Sequence, residues 1–133
     1  MYNMVNKKHI LLSWPRCIYG SQGQQLTVEH LIPKYWLKTI NAPPQIYNDY
    51  IHLFPAGRQI NMMRGHGPIM SIVPAAHRGV IARSLERMRE KYPAVDPIMD
   101  EVLPYNMYVS WLQNPVCKHE KIRQQVLSEL GYY

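Results

Sequence analysis

Glu29 and His30 stand side by side, and further along Asn61 precedes Arg64 by three positions. A neutral imidazole can take a proton from water near neutral pH, and such general-base help is worth about 10²–10⁴ in rate. A carboxylate and an amide oxygen can hold a hard divalent cation such as Mg²⁺, which keeps several of its waters. A single negative ligand leaves the ion net positive, so it can stabilise a phosphate and a departing oxygen. Asn61 and Arg64 would project from one side of a helix, where Arg64 could clamp a phosphate through two parallel N–H bonds or form a surface ion pair. These are the parts of a phosphodiester-hydrolysing centre. Each also has an ordinary use: a histidine hydrogen-bonded within the fold, a solvated carboxylate, a helix-surface amide. The remaining histidines, His9, His52, His66, His77 and His119, keep the ordinary reading. Adjacent residues in a strand face opposite ways, so Glu29 and His30 can share a site only where the strand ends or twists, and nearby Pro33 offers an end.

The elements that must position these residues follow from pattern. Leu26 to Glu29 suits a short strand ending at His30, preceded by a loop over residues 20–25 (GSQGQQ). Residues 33–48 read as a long irregular loop, packed down by Trp36, Leu37 and Ile40. Tyr50 to Phe54 reads as a second strand, Pro55-Ala56-Gly57 as a turn, and Arg58 to Arg64 as a short helix closed by Gly65 and Gly67-Pro68. The clearest helix runs from His77 to Tyr92, where Ile81, Leu85, Met88 and Tyr92 recur at three- and four-residue steps. Tyr105 to Gln113 is a further helix. Asn114-Pro115 reads as the capped start of a last one, with Ile122, Val126 and Leu130 as its apolar stripe and Gly131 as its stop. Residues 9–19, broken by Pro15, read as an edge strand, and residues 1–8 as a mobile start.

At 133 residues, 47% hydrophobic and 18% charged, the chain is expected to form one folded domain over residues 1–133. Its 15 Lys and Arg against nine acids give a formal charge of +6, which favours polyanionic partners. Arg58, Arg64, Arg78 and Arg83 are candidates for contact with a nucleic-acid backbone, and Arg83 could equally bridge helices. Cys17 and Cys117, without a CxxC pair, exclude a Cys-rich zinc module and read as two buried free thiols in preference to a single Cys17–Cys117 bridge. The apolar run around Ile10 to Trp14 is too short for a signal-peptide core or a membrane span, so an intracellular setting is expected.

Four segments, in order, resemble the endonuclease I family within the His-Me finger (ββα-metal) nucleases. Glu29-His30-Leu31-Ile32-Pro33 is similar to its EH-hydrophobic-hydrophobic-P segment. Asp49-Tyr50-Ile51-His52-Leu53-Phe54-Pro55, followed by Ile60-Asn61-Met62-Met63-Arg64-Gly65, is similar to D-x-x-[HN]-L-x-P…N-x-x-R-[SG]. Arg78-Gly79-Val80-Ile81-Ala82-Arg83 with Met88 and Tyr92, then Trp111, Pro115-Val116, Glu120 and Arg123, complete the likeness. His66 stands where the family usually has Asn.

The resemblance implies an α+β fold, a ββα-metal finger (a short strand pair plus helix) embedded in surrounding helices. It implies His30 as general base, Glu29 and Asn61 as ligands of Mg²⁺ or another divalent cation such as Mn²⁺, and DNA, in some members also RNA, as substrate. The alternative is a non-catalytic nucleic-acid-binding or structural module on the same scaffold.

Overall fold

The computed structural model describes residues 5–69 and 73–133, and an antiparallel strand pair lies at its centre. β1 (Leu26–His30) pairs with β2 (Leu53–Gly57), from Leu26 opposite Gly57 to His30 opposite Leu53. In a two-stranded sheet each strand is an edge, so Pro55 sits in β2 without breaking a ladder, and its carbonyl accepts the Ile18 N–H at 2.9 Å. The helix α4 (Arg58–Arg64) follows β2 without a connecting loop. Gln24, from the loop before β1, accepts the N–H groups of Gln59 and Ile60 at 3.0 and 3.2 Å, which satisfies two of the free donors at the start of α4. Glycine stands at the corner between strand and helix, where a Cβ on Gly57 would displace the Gln24 and Ser21 side-chain oxygens. Gly65, at φ 55°, closes α4. Among the described residues the architecture is α+β, with eight α-helices around this one sheet.

Several expected elements differ. The proposed edge strand is the helix α1 (Lys7–Ser13), whose free N–H groups at Lys8 and His9 are taken by the Asn6 side chain. Pro15 therefore stands just past a helix stop. Of the expected mobile start, residues 1–4 lie outside the described residues, and Lys7 and Lys8 are helical. The expected long loop contains two short helices, α2 (Lys34–Thr39) and α3 (Pro44–Tyr47). The second strand begins three residues late, because the Asp49 carboxylate accepts the Ile51 N–H at 2.9 Å and folds Tyr50–His52 into a 3₁₀ turn. Pro55, Ala56 and Gly57 are consequently strand residues.

The long helix α5 (Ala75–Lys91) buries Val80, Ile81, Leu85 and Met88 as its spacing requires. After α6 (Met99–Val102) and α7 (Tyr105–Leu112), the chain ends in α8 (Lys118–Glu129). That last helix starts later than expected and buries another face. Cys117 stands at its N-cap, while Asn114 donates to the Ala75 carbonyl. Glu120, Arg123 and Leu127 point inward, and Ile122 is exposed. No helix among the described residues is long and apolar enough to cross a membrane.

The two faces of the strand pair pack differently. Phe54 and Ala56 join a large core with Trp14, Leu37, Ile81, Leu85 and Trp111. Leu53 and Val28 join a smaller cluster with Ile10, Tyr50 and Leu127. Each fully buried Leu, Ile or Phe contributes about 1.5–3 kcal/mol through lost contact with water. Cys17 lies buried beneath the strand pair, its Sγ accepting the Gly57 N–H at 3.2 Å and the Ser21 hydroxyl at 3.0 Å; Cys117 is half-buried and both are free thiols.

Charged groups brace this core from the far side. Arg83 pairs with Glu120 through two bonds of 2.7 Å and donates to the carbonyls of Leu112 and Asn114, which ties α5 to α7 and α8. It serves as the helix bridge among its two expected roles, and its donors are turned inward instead of toward a nucleic-acid backbone. A Cβ at Gly79 would collide with the Arg83 guanidinium. Gly79→Ala is therefore expected to lower stability by about 1–3 kcal/mol through overpacking. Denaturant melts of a double-mutant cycle check the cause: with Arg83→Ala already present, the same change should cost much less.

Candidate active site

Glu29, at the penultimate position of β1, is buried at 4% exposure, so a solvated carboxylate is excluded. The Tyr19 hydroxyl donates to its Oε2 at 2.7 Å, and Arg64 Nη1 lies 3.3 Å from the same oxygen. Burial raises the Glu29 carboxyl pKa, opposed by the Arg64 charge and by hydrogen bonds from Tyr19, Arg64 and the His30 backbone. Burial and the neighbouring Glu29 carboxylate together push the Tyr19 phenol well above its ordinary value. With both side-chain contacts on Oε2, Glu29 Oε1 has no side-chain hydrogen bond among the described residues.

Asn61 reaches the same face of the hairpin from α4. Its Nδ2 donates to Thr27 Oγ1 at 2.9 Å and to the Val28 carbonyl at 3.3 Å. Thr27 and Glu29 are two apart in β1 and so share a face. Because the nitrogen end of the amide is tethered, Oδ1 is the end left for a ligand. Two neutral or singly charged oxygen donors match the chemistry of a hard divalent cation that keeps most of its water. No group of three or more His, Cys, Asp or Glu able to hold a metal occurs among the described residues, so a site here would be this minimal pair. Asn61 and Glu29 fit that role, although Arg64 competes for one carboxylate oxygen and would weaken the cation's hold.

His30 ends β1 and faces the other way. Its ring meets that of His52 edge-on, with centroids 5.6 Å apart, and its Nε2 is buried without a hydrogen-bond partner. Burial chiefly, then the neighbouring His52 and Lys34, lowers its pKa to about 3, while the Tyr47 backbone opposes the shift. The ring is therefore neutral at physiological pH. No side-chain hydrogen bond among the described residues joins the His30 ring to Glu29 or Asn61; strand alternation turns the two side chains apart, as the adjacency of Glu29 and His30 foreshadows. His52 is fully buried beside it, its Nε2–H donating to the Ile46 and Tyr47 carbonyls at 3.0 and 3.2 Å and its Nδ1 accepting the Ile32 N–H at 3.4 Å. Those partners require the neutral ring, in keeping with a pKa lowered to about 4 mainly by burial.

Arg64 is not placed as a phosphate clamp. Its side chain is 1% exposed, Nε donates to the Gly67 carbonyl at 3.0 Å, Nη1 to the His30 carbonyl at 3.0 Å, and Nη2 to the Leu31 carbonyl at 2.8 Å. All three nitrogens hold the end of β1 and the turn after α4. Arg64 ties the Glu29 carboxylate and the His30 carbonyl to α4. Arg58 is exposed at the start of α4. Arg78 donates to the Val73 carbonyl at 3.0 Å and lies over the Trp111 ring, half-buried on α5. Tyr19 escaped the sequence reading altogether: nothing local marks a tyrosine ten positions before Glu29 as its partner.

A histidine whose folded pKa lies below its unfolded value binds a proton more readily when unfolded, so stability falls as pH drops through that window. For His30 and His52 the window runs from the ordinary 6.5 down to about 3 and about 4. Each is expected to remove up to about 1.4 kcal/mol per pH unit there. Urea melts between those limits should show stability rising with pH, and a flat profile would contradict the buried neutral rings.

The chain matches no protein-family model, no curated protein and no solved structure. What the site can do rests on its own geometry and chemistry.

Proposed function

We propose that the chain is a metal-dependent endonuclease that hydrolyses phosphodiester bonds of DNA with little sequence preference, RNA being a further substrate to test. The observation that carries this reading is the buried Nε2 of His30, left without a hydrogen-bond partner at the end of the strand that also carries Glu29. Buried polar groups are ordinarily satisfied, and a reacting partner would account for the one left open at this site. The strand–strand–helix order and the likeness to the endonuclease I segments support the same reading.

Charge supports it too. Residues 1–85 contain nine Lys and Arg and only two acids, Glu29 and Asp49. Both acids are buried and ion-paired, Glu29 with Arg64 and Asp49 with Lys91 at 2.8 Å. The surface contributed by this part of the chain therefore carries no exposed carboxylate to repel phosphates. Lys34, Lys38 and Arg58 are exposed on it, and Lys34 is close enough to be felt electrostatically at His30.

In the proposed reaction the neutral His30 ring takes a proton from the water that attacks phosphorus in line. Its lowered pKa makes it a weak base in the free protein; a phosphate arriving beside it would favour the protonated ring and raise that pKa. Glu29 and Asn61 would hold the divalent cation, which when bound supplies positive charge to the departing 3′ oxygen. Base and cation act at opposite ends of an in-line displacement, so they need not touch each other. Tyr19 and Arg64 fix the Glu29 carboxylate, and Arg64 also grips the carbonyls on either side of the His30–Leu31 peptide bond.

Plasmid nicking with Mg²⁺ or Mn²⁺ against an EDTA control tests the proposal. His30→Ala is expected to keep the fold and reduce cleavage about 10²–10⁴-fold. Binding should weaken steeply with added salt, as it does wherever phosphates supply the grip. A second reading, a non-catalytic nucleic-acid-binding module, is favoured by one feature: Arg64 already neutralises Glu29. Salt-sensitive DNA binding without cutting under any divalent ion would select it.

A further inference from the structure

Beside the candidate active site lies an aromatic cluster in which Trp36 packs on the core while Tyr35 and His66 face solvent. Tyr35 is 50% exposed, and its ring stacks on that of the exposed His66 at 4.0 Å between centroids and 16° between planes. Trp36 buttresses both rings edge-on, at 4.9 Å from Tyr35 and 6.2 Å from His66. Its Nε1–H donates to the His66 carbonyl at 2.8 Å, which pins the turn after α4 against α2. The stack is thus held in one arrangement although it faces solvent, and an exposed apolar patch rimmed by polar residues marks an interaction site.

Its position points to the occupant. Tyr35 follows the end of β1 by a few residues, and His66 comes two residues after Arg64, whose guanidinium grips the His30 carbonyl. Lys34 and Lys38 are exposed on the helix that carries Tyr35, in a stretch without exposed acids. A flat apolar partner attached to a polyanionic strand satisfies both features. An unpaired nucleobase does so, whereas a base inside a duplex has its faces already stacked.

We infer that the Tyr35–His66 pair is a stacking platform for an unpaired base next to the phosphate at the candidate site, so that single-stranded or locally opened nucleic acid is the preferred substrate. This rests on the nuclease reading for the word substrate, but the binding claim stands apart from cleavage.

Binding is measured by fluorescence anisotropy in EDTA, with a labelled short oligothymidylate and a blunt duplex of the same length. Loss of one base stack by alanine substitution corresponds to a weakening of about five- to a hundred-fold. Tyr35→Ala and His66→Ala are expected to weaken single-strand binding on that scale and leave duplex binding unchanged. Tyr35→Phe, which keeps the ring, should bind like the parent. Three results would overturn the platform: no single-strand binding by the parent, parental single-strand affinity in Tyr35→Ala, or an equal loss on both probes. Circular dichroism of each variant shows that the fold is kept. Plasmid nicking by the parent with Mg²⁺ or Mn²⁺ is read separately; its absence sinks the nuclease reading and leaves the EDTA result to decide the platform.

Discussion

The Arg64 guanidinium, buried between α4 and the end of β1, is the constraint on which the arrangement depends. It reaches the Glu29 carboxylate, the Tyr19 hydroxyl, and the carbonyls of His30, Leu31 and Gly67. A buried cation of this kind is tolerated only when its donors are met by well-placed acceptors. Here those acceptors are backbone groups from two segments far apart in sequence, so the charge enforces their proximity. It also sets the hairpin against the following helix, which brings Asn61 over Thr27. Remove the charge and the carboxylate beneath it is left buried with one hydroxyl.

A second buried guanidinium supports the other strand at the same end of the pair, where Leu53 lies opposite His30. Arg123, on α8, lies over the Phe54 ring at 3.9 Å and donates to the carbonyls of Tyr50 and Ile51 at 3.0 Å. Burial lowers its pKa to about 9, and its Nε has no partner. It accepts that cost because the 3₁₀ turn before β2 leaves several carbonyls pointing one way. Asp49 holds the other side of that turn through Lys91 and Tyr92, at 2.8 and 2.6 Å. The strand that pairs with β1 is therefore fixed from both sides by charge rather than by a longer ladder. A hairpin of two five-residue strands would be marginal alone.

Local chemistry made the hairpin, α4, α5 and α7 legible, because their periodicity, glycine stops and proline boundaries act within a few residues. The errors come from tertiary compensation. Ile122, Val126 and Leu130 form the more apolar stripe of α8, yet Glu120 and Arg123 go inward because Arg83 and backbone carbonyls are there to receive them. Asn6 capped a helix in a stretch whose apolar run and Pro15 suggested a strand. At the site, Glu29 and Asn61 stood out by residue type alone; that Asn61 meets Thr27, on the Glu29 face of β1, is a contact made only on folding. Arg64 could be picked out but its role could not, since four of its five acceptors become neighbours only on folding. His30 lands on the opposite face for the reason that two successive strand residues always do.

The buried thiol of Cys17 has a use as a reporter. Its sulfur is covered by the amide of Gly57, the last residue of β2, so a thiol reagent gains access only when that corner lifts. Half-buried Cys117 needs no such event. One molecule thus carries a prompt label and a delayed one, and the lag between them measures how often the hairpin breathes.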